Sequence, residues 1–228
     1  MSKRLSKEEL ESDPLIENYN RAAAYVTENK SFITTVAIAV VLVIGGIIGY
    51  NYYSSAQEQE AQQLLSVAEN YYNQADYENA LYGDEFELTY GFDQIAEEFP
   101  RTNAGNIANF YAAVSSYELG DIENALMFME EFDVPKGILG VGPLSFHGKL
   151  LMANESFDAA AEKFVQAANW NENSVTTPSN LLEAAQAYYQ AGNYDKADEV
   201  ATQIIEEYPQ SGQIAESERL KGMIAATS

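Results

Sequence analysis

The spacing of hydrophobic and polar positions changes twice along the chain. Up to Lys30 the residues are mostly polar and carry charges of both signs. From Ser31 to Gln57 no residue is charged, and Phe32 to Tyr50 reads FITTVAIAVVLVIGGIIGY, nineteen residues rich in Val and Ile. At about 1.5 Å of rise per residue, roughly 20 such residues cross a hydrocarbon core about 30 Å thick, so this run predicts a membrane-spanning helix. Beyond it, apolar residues return at helical spacing, in paired amphipathic stretches separated by short polar turns. The pattern predicts an all-α chain in three parts: a polar segment at 1–30, a transmembrane helix at 31–53 and a helical domain at 54–228.

The flanks of the span set its direction. Lys3, Arg4, Lys7, Arg21 and Lys30 precede it, and no Lys or Arg follows until Arg101. Basic residues near a span stay in the cytoplasm, so the N-terminus is expected inside and the helical domain outside. Phe32 on one side and Tyr50, Tyr52 and Tyr53 on the other suit the two interfaces. A cleaved signal peptide is the competing reading, with Ser54-Ser55-Ala56 as a weak cleavage site; the polar segment in front and the length of the apolar run argue for an anchor. Asp13 followed by Pro14 predicts a helix start, from which a helix through Asn18, Ala22 and Tyr25 can run into the span. Gly45 and Gly49 have the small-xxx-small spacing that lets transmembrane helices approach closely, although glycine is also common in such helices.

The helical domain is internally repetitive. Asn193-Tyr194-Asp195-Lys196-Ala197 recurs in altered form at Asp76–Ala80, Asp121–Ala125 and Ser156–Ala160, and the aligned alanines lie 45, 35 and 37 residues apart. An alanine- or aromatic-rich helical stretch precedes each copy, and a second amphipathic run follows it. This resembles the tetratricopeptide repeat, a helix–turn–helix unit. In the last copy Ala185, Tyr188, Gly192, Tyr194, Ala197 and Pro209 fall on its small, aromatic, turn and terminating positions. The third keeps Gly148, Phe157, Ala160, Phe164 and Ala167; the second keeps Ala113, Gly120 and Ala125 with Met129 in place of an aromatic; the first diverges most. The expected architecture is an α-solenoid of about four tetratricopeptide-type helix pairs, stacked because no pair hides its apolar face alone, with Ser211–Ala226 as a capping helix.

The first repeat carries an insertion. Gln94–Arg101 mirrors Gln203–Gln210, yet Ala80 to Pro100 spans 20 residues where Ala197 to Pro209 spans 12. The extra residues fall near Tyr82–Gly91, YGDEFELTYG, which is either a contact surface or a tolerated surface loop.

Composition narrows the chemistry. A formal charge of −23, from 35 acidic and 12 basic residues, excludes non-specific nucleic-acid binding, which needs Lys/Arg clusters against phosphates. There is no cysteine and a single histidine, His147, so zinc sites and His-activated nucleophiles lack their parts. Glu97/Glu98, Glu130/Glu131 and Glu206/Glu207 read as solvated helix ends. The chain is not expected to be an enzyme or to hold a cofactor. The groove of such a solenoid is lined by first helices, which makes Tyr71, Tyr72, Phe110, Tyr111, Tyr188 and Tyr189 the candidate protein-binding residues; the sequence does not separate groove from core among them.

The layout as a whole resembles a narrower family. Asp13-Pro14-Leu15, Gly49-Tyr50-Asn51-Tyr52-Tyr53, Gly91-Phe92 with Ile95, Ala104-Gly105-Asn106 and Thr176-Thr177-Pro178 are similar to segments of bacterial YfgM-like proteins, especially those of the Bacteroidota. That resemblance implies an inner-membrane accessory subunit of the SecYEG translocon whose periplasmic domain contacts chaperones or clients. Two other readings stay open: an envelope or division scaffold without translocon contact, and a structural protein that self-assembles through Gly45 and Gly49.

Overall fold

The computed structural model describes residues 14–227. The Asp13 cap and the Lys3, Arg4 and Lys7 part of the charge asymmetry lie outside the described residues. The chain divides into two compact units, Met1–Ala56 and Gln57–Ser228.

In the first unit, α1 (Pro14–Glu28) leads to the start of α2 (Lys30–Asn73). The two are almost one helix. Asn29 donates its N–H to Tyr25 and accepts from Ile33, but its side-chain amide also takes the Tyr25 carbonyl, and the helix is interrupted there. The apolar part of α2 is long and apolar enough to cross a membrane, with a mean hydropathy of 2.6. Val41, Leu42, Ile44 and Ile48 are all more than half exposed, so this stretch is apolar on every side with nothing packed on it. It therefore lacks the single apolar stripe of a helix with one core face. Thr34 and Thr35 return their hydroxyls to the carbonyls of Lys30 and Ser31, so neither asks for water.

The second unit is a solenoid of helix pairs. The first pair has residues 57–73 of α2 as its first helix; α3 (Tyr77–Tyr82) and α4 (Phe92–Glu98) make a broken second helix. The others are α5 (Asn103–Glu118) with α6 (Ile122–Glu131), α7 (Val141–Ala153) with α8 (Phe157–Trp170), and α9 (Thr176–Gln190) with α10 (Tyr194–Glu207). A 3₁₀ turn, Gly137–Gly140, precedes α7, and α11 (Ile214–Thr227) closes the array.

One backbone device makes all four turns inside the pairs. Ala75, Gly120, Glu155 and Gly192, each five residues before an aligned alanine, have φ of 59°, 84°, 58° and 77°. At each, two crossed hydrogen bonds close the first helix in a Schellman motif: Asp76 to Tyr71 and Ala75 to Tyr72, then the equivalent bonds at 120, 155 and 192, all 2.9–3.0 Å. Gly120 and Gly192 take the left-handed conformation without strain; Ala75 and Glu155 hold it because the repeat demands it. Asp76 and Asp121 then cap the next helix through the N–H of Asn79 and Asn124.

The aligned alanines 80, 125, 160 and 197 are each 0% exposed, which confirms the register. A methyl group there lets the second helix cross close to the first, and Phe92, Phe164 and Ile204 fill the adjoining space. Capping helix α11 buries Leu220 and Ile224 against the fourth pair, and Lys221 Nζ donates to Asp198 at 2.6 Å and to Thr202.

Candidate functional site

Of the six aromatics singled out in the sequence, Tyr72, Phe110 and Tyr111 join one pair to the next, whereas the polar and ring contacts of Tyr71, Tyr188 and Tyr189 lie within their own pairs. The ring of Tyr72 meets those of Tyr77 and Tyr111 edge-on at 5.6 and 5.0 Å, and Tyr111 stacks on buried Phe92 at 5.1 Å. Phe110 continues the array to Phe132 at 5.4 Å and Phe146 at 5.9 Å. Edge-to-face and offset stacks of this kind add about 0.5–1.5 kcal/mol each beyond area burial. Burial raises the Tyr72 and Tyr111 hydroxyls above the ordinary phenol range, and Glu118 and Glu69 push the same way. Tyr188 is buried, with Lys196 Nζ 4.9 Å from its ring centre, and Tyr189 lies 5.4 Å from Tyr194. Tyr71 packs against the same core and donates its hydroxyl to Glu87 at 3.1 Å and Asp84 at 3.3 Å in the insertion.

The open concavity between first helices is lined by other residues. A groove of about 380 Å³ lies between α7 and α9, with Val141 and Phe164 at its base. Gly142, Ser145 and Lys149 of α7 face Thr176, Ser179, Asn180 and Glu183 of α9 across it, and Ile138 and Val175 stand exposed at its rim. Its walls are fixed by hydrogen bonds. Ser145 Oγ donates to Asn180 Oδ1, and the Asn180 amide donates to the Thr176 carbonyl at 2.8 Å. Asn173 accepts from the N–H groups of Val175 and Thr176, and buried Thr177 ties the start of α9 to the Ala168 carbonyl. Trp170 Nε1 donates to the Pro135 carbonyl at 2.9 Å, fixing the approach to the 3₁₀ turn that carries Ile138.

Such a groove can take an extended segment of another protein: Lys149 offers a cation, Glu183 offers an acceptor, and Val175 and Ile138 offer apolar contact. Sequence reasoning missed it by following aromatics. The signal was the i, i+4 pairs Ser145/Lys149 and Ser179/Glu183 on α7 and α9.

The insertion is a closed loop. It leaves after Tyr82 and returns at Gly91, whose backbone abuts that of Leu81 and Gly83: a Cβ on Gly91 would lie 2.2 Å from the Leu81 carbonyl oxygen. Inside it, Asp84 accepts from the N–H groups of Phe86 and Glu87 at 2.8 and 3.2 Å, and Thr89 Oγ1 accepts from the Asp84 N–H. Phe86 and Leu88 are left 99% and 86% exposed at its tip.

His147 is buried in α7; burial and then Lys163 lower its pKa, against a smaller opposing pull from Glu130. Among the described residues no group of three or more His, Cys, Asp or Glu is placed to hold a metal ion. Around Gly45 and Gly49 the space is open for 4 Å.

Comparison with known proteins places this architecture. Residues 25–132 match the tetratricopeptide repeat-like domain, a stretch that includes the apolar part of α2 as well as the first two helix pairs, and residues 179–211 match the tetratricopeptide repeat. No curated protein matches. Among solved structures, a protein described as a kinesin light chain from Podosopora anserina, built of nearly identical TPR-like repeats, superposes with a TM-score of 0.50 at 14% identity, covering 74% of this chain and 95% of that one. A variant of the same protein gives the same TM-score and identity, with 94% of its chain covered. At that identity the likeness shows the fold alone. The helical unit is a tetratricopeptide-like solenoid, and such repeats indicate a protein–protein interaction scaffold.

Proposed function

We propose that the chain is a membrane-anchored, non-catalytic scaffold, with residues 1–30 in the cytoplasm, a span at 31–53 and a periplasmic repeat domain at 54–228. The observation that carries this reading is the apolar half of α2, whose large side chains are solvent-exposed all round with nothing packed against them. Leaving so much apolar surface in water is unfavourable by about 25 cal/mol per Å², and lipid removes that cost. The Lys/Arg asymmetry supports the orientation.

In the sharper form of the proposal, the protein is an accessory subunit of the Sec translocon, and its repeat domain passes contacts to periplasmic chaperones or clients. The segment resemblances and the groove between α7 and α9 support this form. Tethering raises the effective concentration of a weak groove at the membrane, so modest affinity suffices there. Affinity purification of the full chain from gently solubilised inner membrane, with SecY quantified by mass spectrometry, tests it. Enrichment that falls with Lys149→Glu or with Gly45→Ile plus Gly49→Ile is the expected result. Absence of SecY from the eluate removes the translocon form while leaving the anchored scaffold. A reporter active only outside the cytoplasm, fused after Ser228, tests the orientation separately and is expected to be active.

The open faces of Gly45 and Gly49 favour one second reading, self-association through the span. Crosslinking of the full chain in native membranes gives a dimer that the double Ile substitution abolishes if that reading holds.

A further inference from the structure

The second helices carry a concavity of their own, separate from the groove between α7 and α9. It lies between the broken second helix of the first pair and α6 and encloses about 560 Å³. Its apolar surface comes from Tyr82, Met127 and Phe128, with Tyr82 and Met127 each about half exposed. Three acidic residues, Asp93, Glu97 and Glu131, line the same space, and none of the residues lining it is Lys or Arg. The broken second helix forms one wall of this site: α3 ends at Tyr82, and α4, which starts at Phe92, carries Asp93 and Glu97.

We propose that this groove is a second docking site, and that its occupant is a cationic, apolar segment of a different protein: Lys or Arg side chains alternating with aliphatic ones. Charge complementarity selects the occupant. Asp93 is half-buried beside Glu97, while Glu97 and Glu131 are exposed at the groove's edge, and cations entering a space with no Lys or Arg in its lining meet all three. Burial, with Glu97 adding to it, already holds the Asp93 carboxyl above the usual carboxylate range. The aliphatic side chains then cover Met127 and Phe128, which a purely cationic segment leaves wet. A second copy of this chain is a poor occupant, because residues 57–228 carry 29 acidic and 7 basic side chains and two such units repel.

The test uses the full chain in phosphatidylcholine nanodiscs and a fluorescently labelled short peptide alternating Leu and Lys, followed by anisotropy. Saturable binding is expected. Glu97→Gln with Glu131→Gln removes two charge pairs and weakens it about tenfold, within the range for two pairs near a surface. Glu199→Gln with Glu206→Gln, an exposed pair on α10, leaves it within about twofold, since distant surface charges are screened. Lys149→Glu in the other groove leaves the affinity unweakened, so this site and the proposed client groove fail or stand separately. Peptides alternating Leu with Glu, or Ser with Lys, bind at least tenfold more weakly, since each lacks one half of the recognition. Equal losses from the two glutamate pairs, or equal binding of the Ser/Lys peptide, reduce the effect to diffuse charge and overturn the proposal. Equal binding to nanodiscs lacking the protein assigns it to lipid and overturns it too. Circular dichroism melts of each variant confirm that the fold is kept.

Discussion

The backbone of Gly148 lies against the ring of Phe164, so close that a Cβ on the glycine would sit 2.8–2.9 Å from three ring carbons. These two residues join the helices of the third pair, α7 and α8, at their crossing. Gly148→Ala forces the buried ring or the helix to move and is expected to cost about 1–3 kcal/mol. Gly222, in α11, has no atom within 4 Å of where its Cβ would be, and Gly222→Ala is expected to stabilise by up to about 1 kcal/mol through helix propensity. Chemical denaturation of the two variants checks both signs; similar effects from both contradict the close crossing.

The four equivalent left-handed turns give a second contrast. Ala75 and Glu155 hold φ of 59° and 58° against the preference of a residue with a Cβ. Ala75→Gly and Glu155→Gly are therefore expected to stabilise by about 1 kcal/mol each, while Gly120→Ala and Gly192→Ala destabilise by a similar amount. Midpoints of urea unfolding at constant slope read this directly, and opposite signs within one set of equivalent positions are the outcome to look for.

Acid acts on His147. Burial and then Lys163 lower its pKa, so between its folded and unfolded pKa the unfolded chain binds more protons than the folded one. Its neutral folded form costs nothing above about pH 6.5 and becomes a liability as the pH falls below that value. Relative to His147→Gln, the natural protein is expected to lose stability between pH 7 and pH 5, with the gap levelling once the pH passes the folded pKa. Thermal melts of the pair across that range measure the difference, which cancels the carboxylate contribution common to both. Parallel profiles contradict a buried neutral imidazole.

The insertion separates display from stability. Phe86→Ser and Leu88→Ser remove side chains that touch almost nothing and are expected to change stability by no more than about 0.5 kcal/mol. Gly91→Ala places a methyl group 2.2 Å from the Leu81 carbonyl oxygen and 2.4 Å from the Gly83 nitrogen, and is expected to open the loop. Hydrogen exchange at Thr89, whose N–H is bonded to the Asp84 carbonyl, reports the opening: protected in the Ser variants, fast in the Ala variant.

Much of this was legible along the chain. The charge-free run from Ser31 to Gln57, the alanines at 80, 125, 160 and 197, the turn glycines 120 and 192 and the extra residues near Tyr82–Gly91 are local or periodic features, and each has a local cause. A methyl group at a helix crossing, a missing Cβ at a left-handed turn and an apolar stretch of membrane length constrain the residue type wherever the rest of the chain lies. Ala75 and Glu155 show the limit of that reading: their left-handed backbone is imposed by the repeat around them, and no side-chain preference announces it.

What only the tertiary structure decided is which surfaces are left over once the pairs stack. Tyr72, Phe110 and Tyr111 have the composition of a binding face, yet they meet rings of the neighbouring pair, whereas Ser145, Lys149 and Glu183, unremarkable in sequence, line open space. Asp93, Glu97 and Glu131 come from two helices more than thirty residues apart at their extremes and share one groove because the first two pairs stack. Periodicity gives the face of a helix on which a residue lies, but its exposure depends on what the next pair places opposite it, and that is a property of the stack.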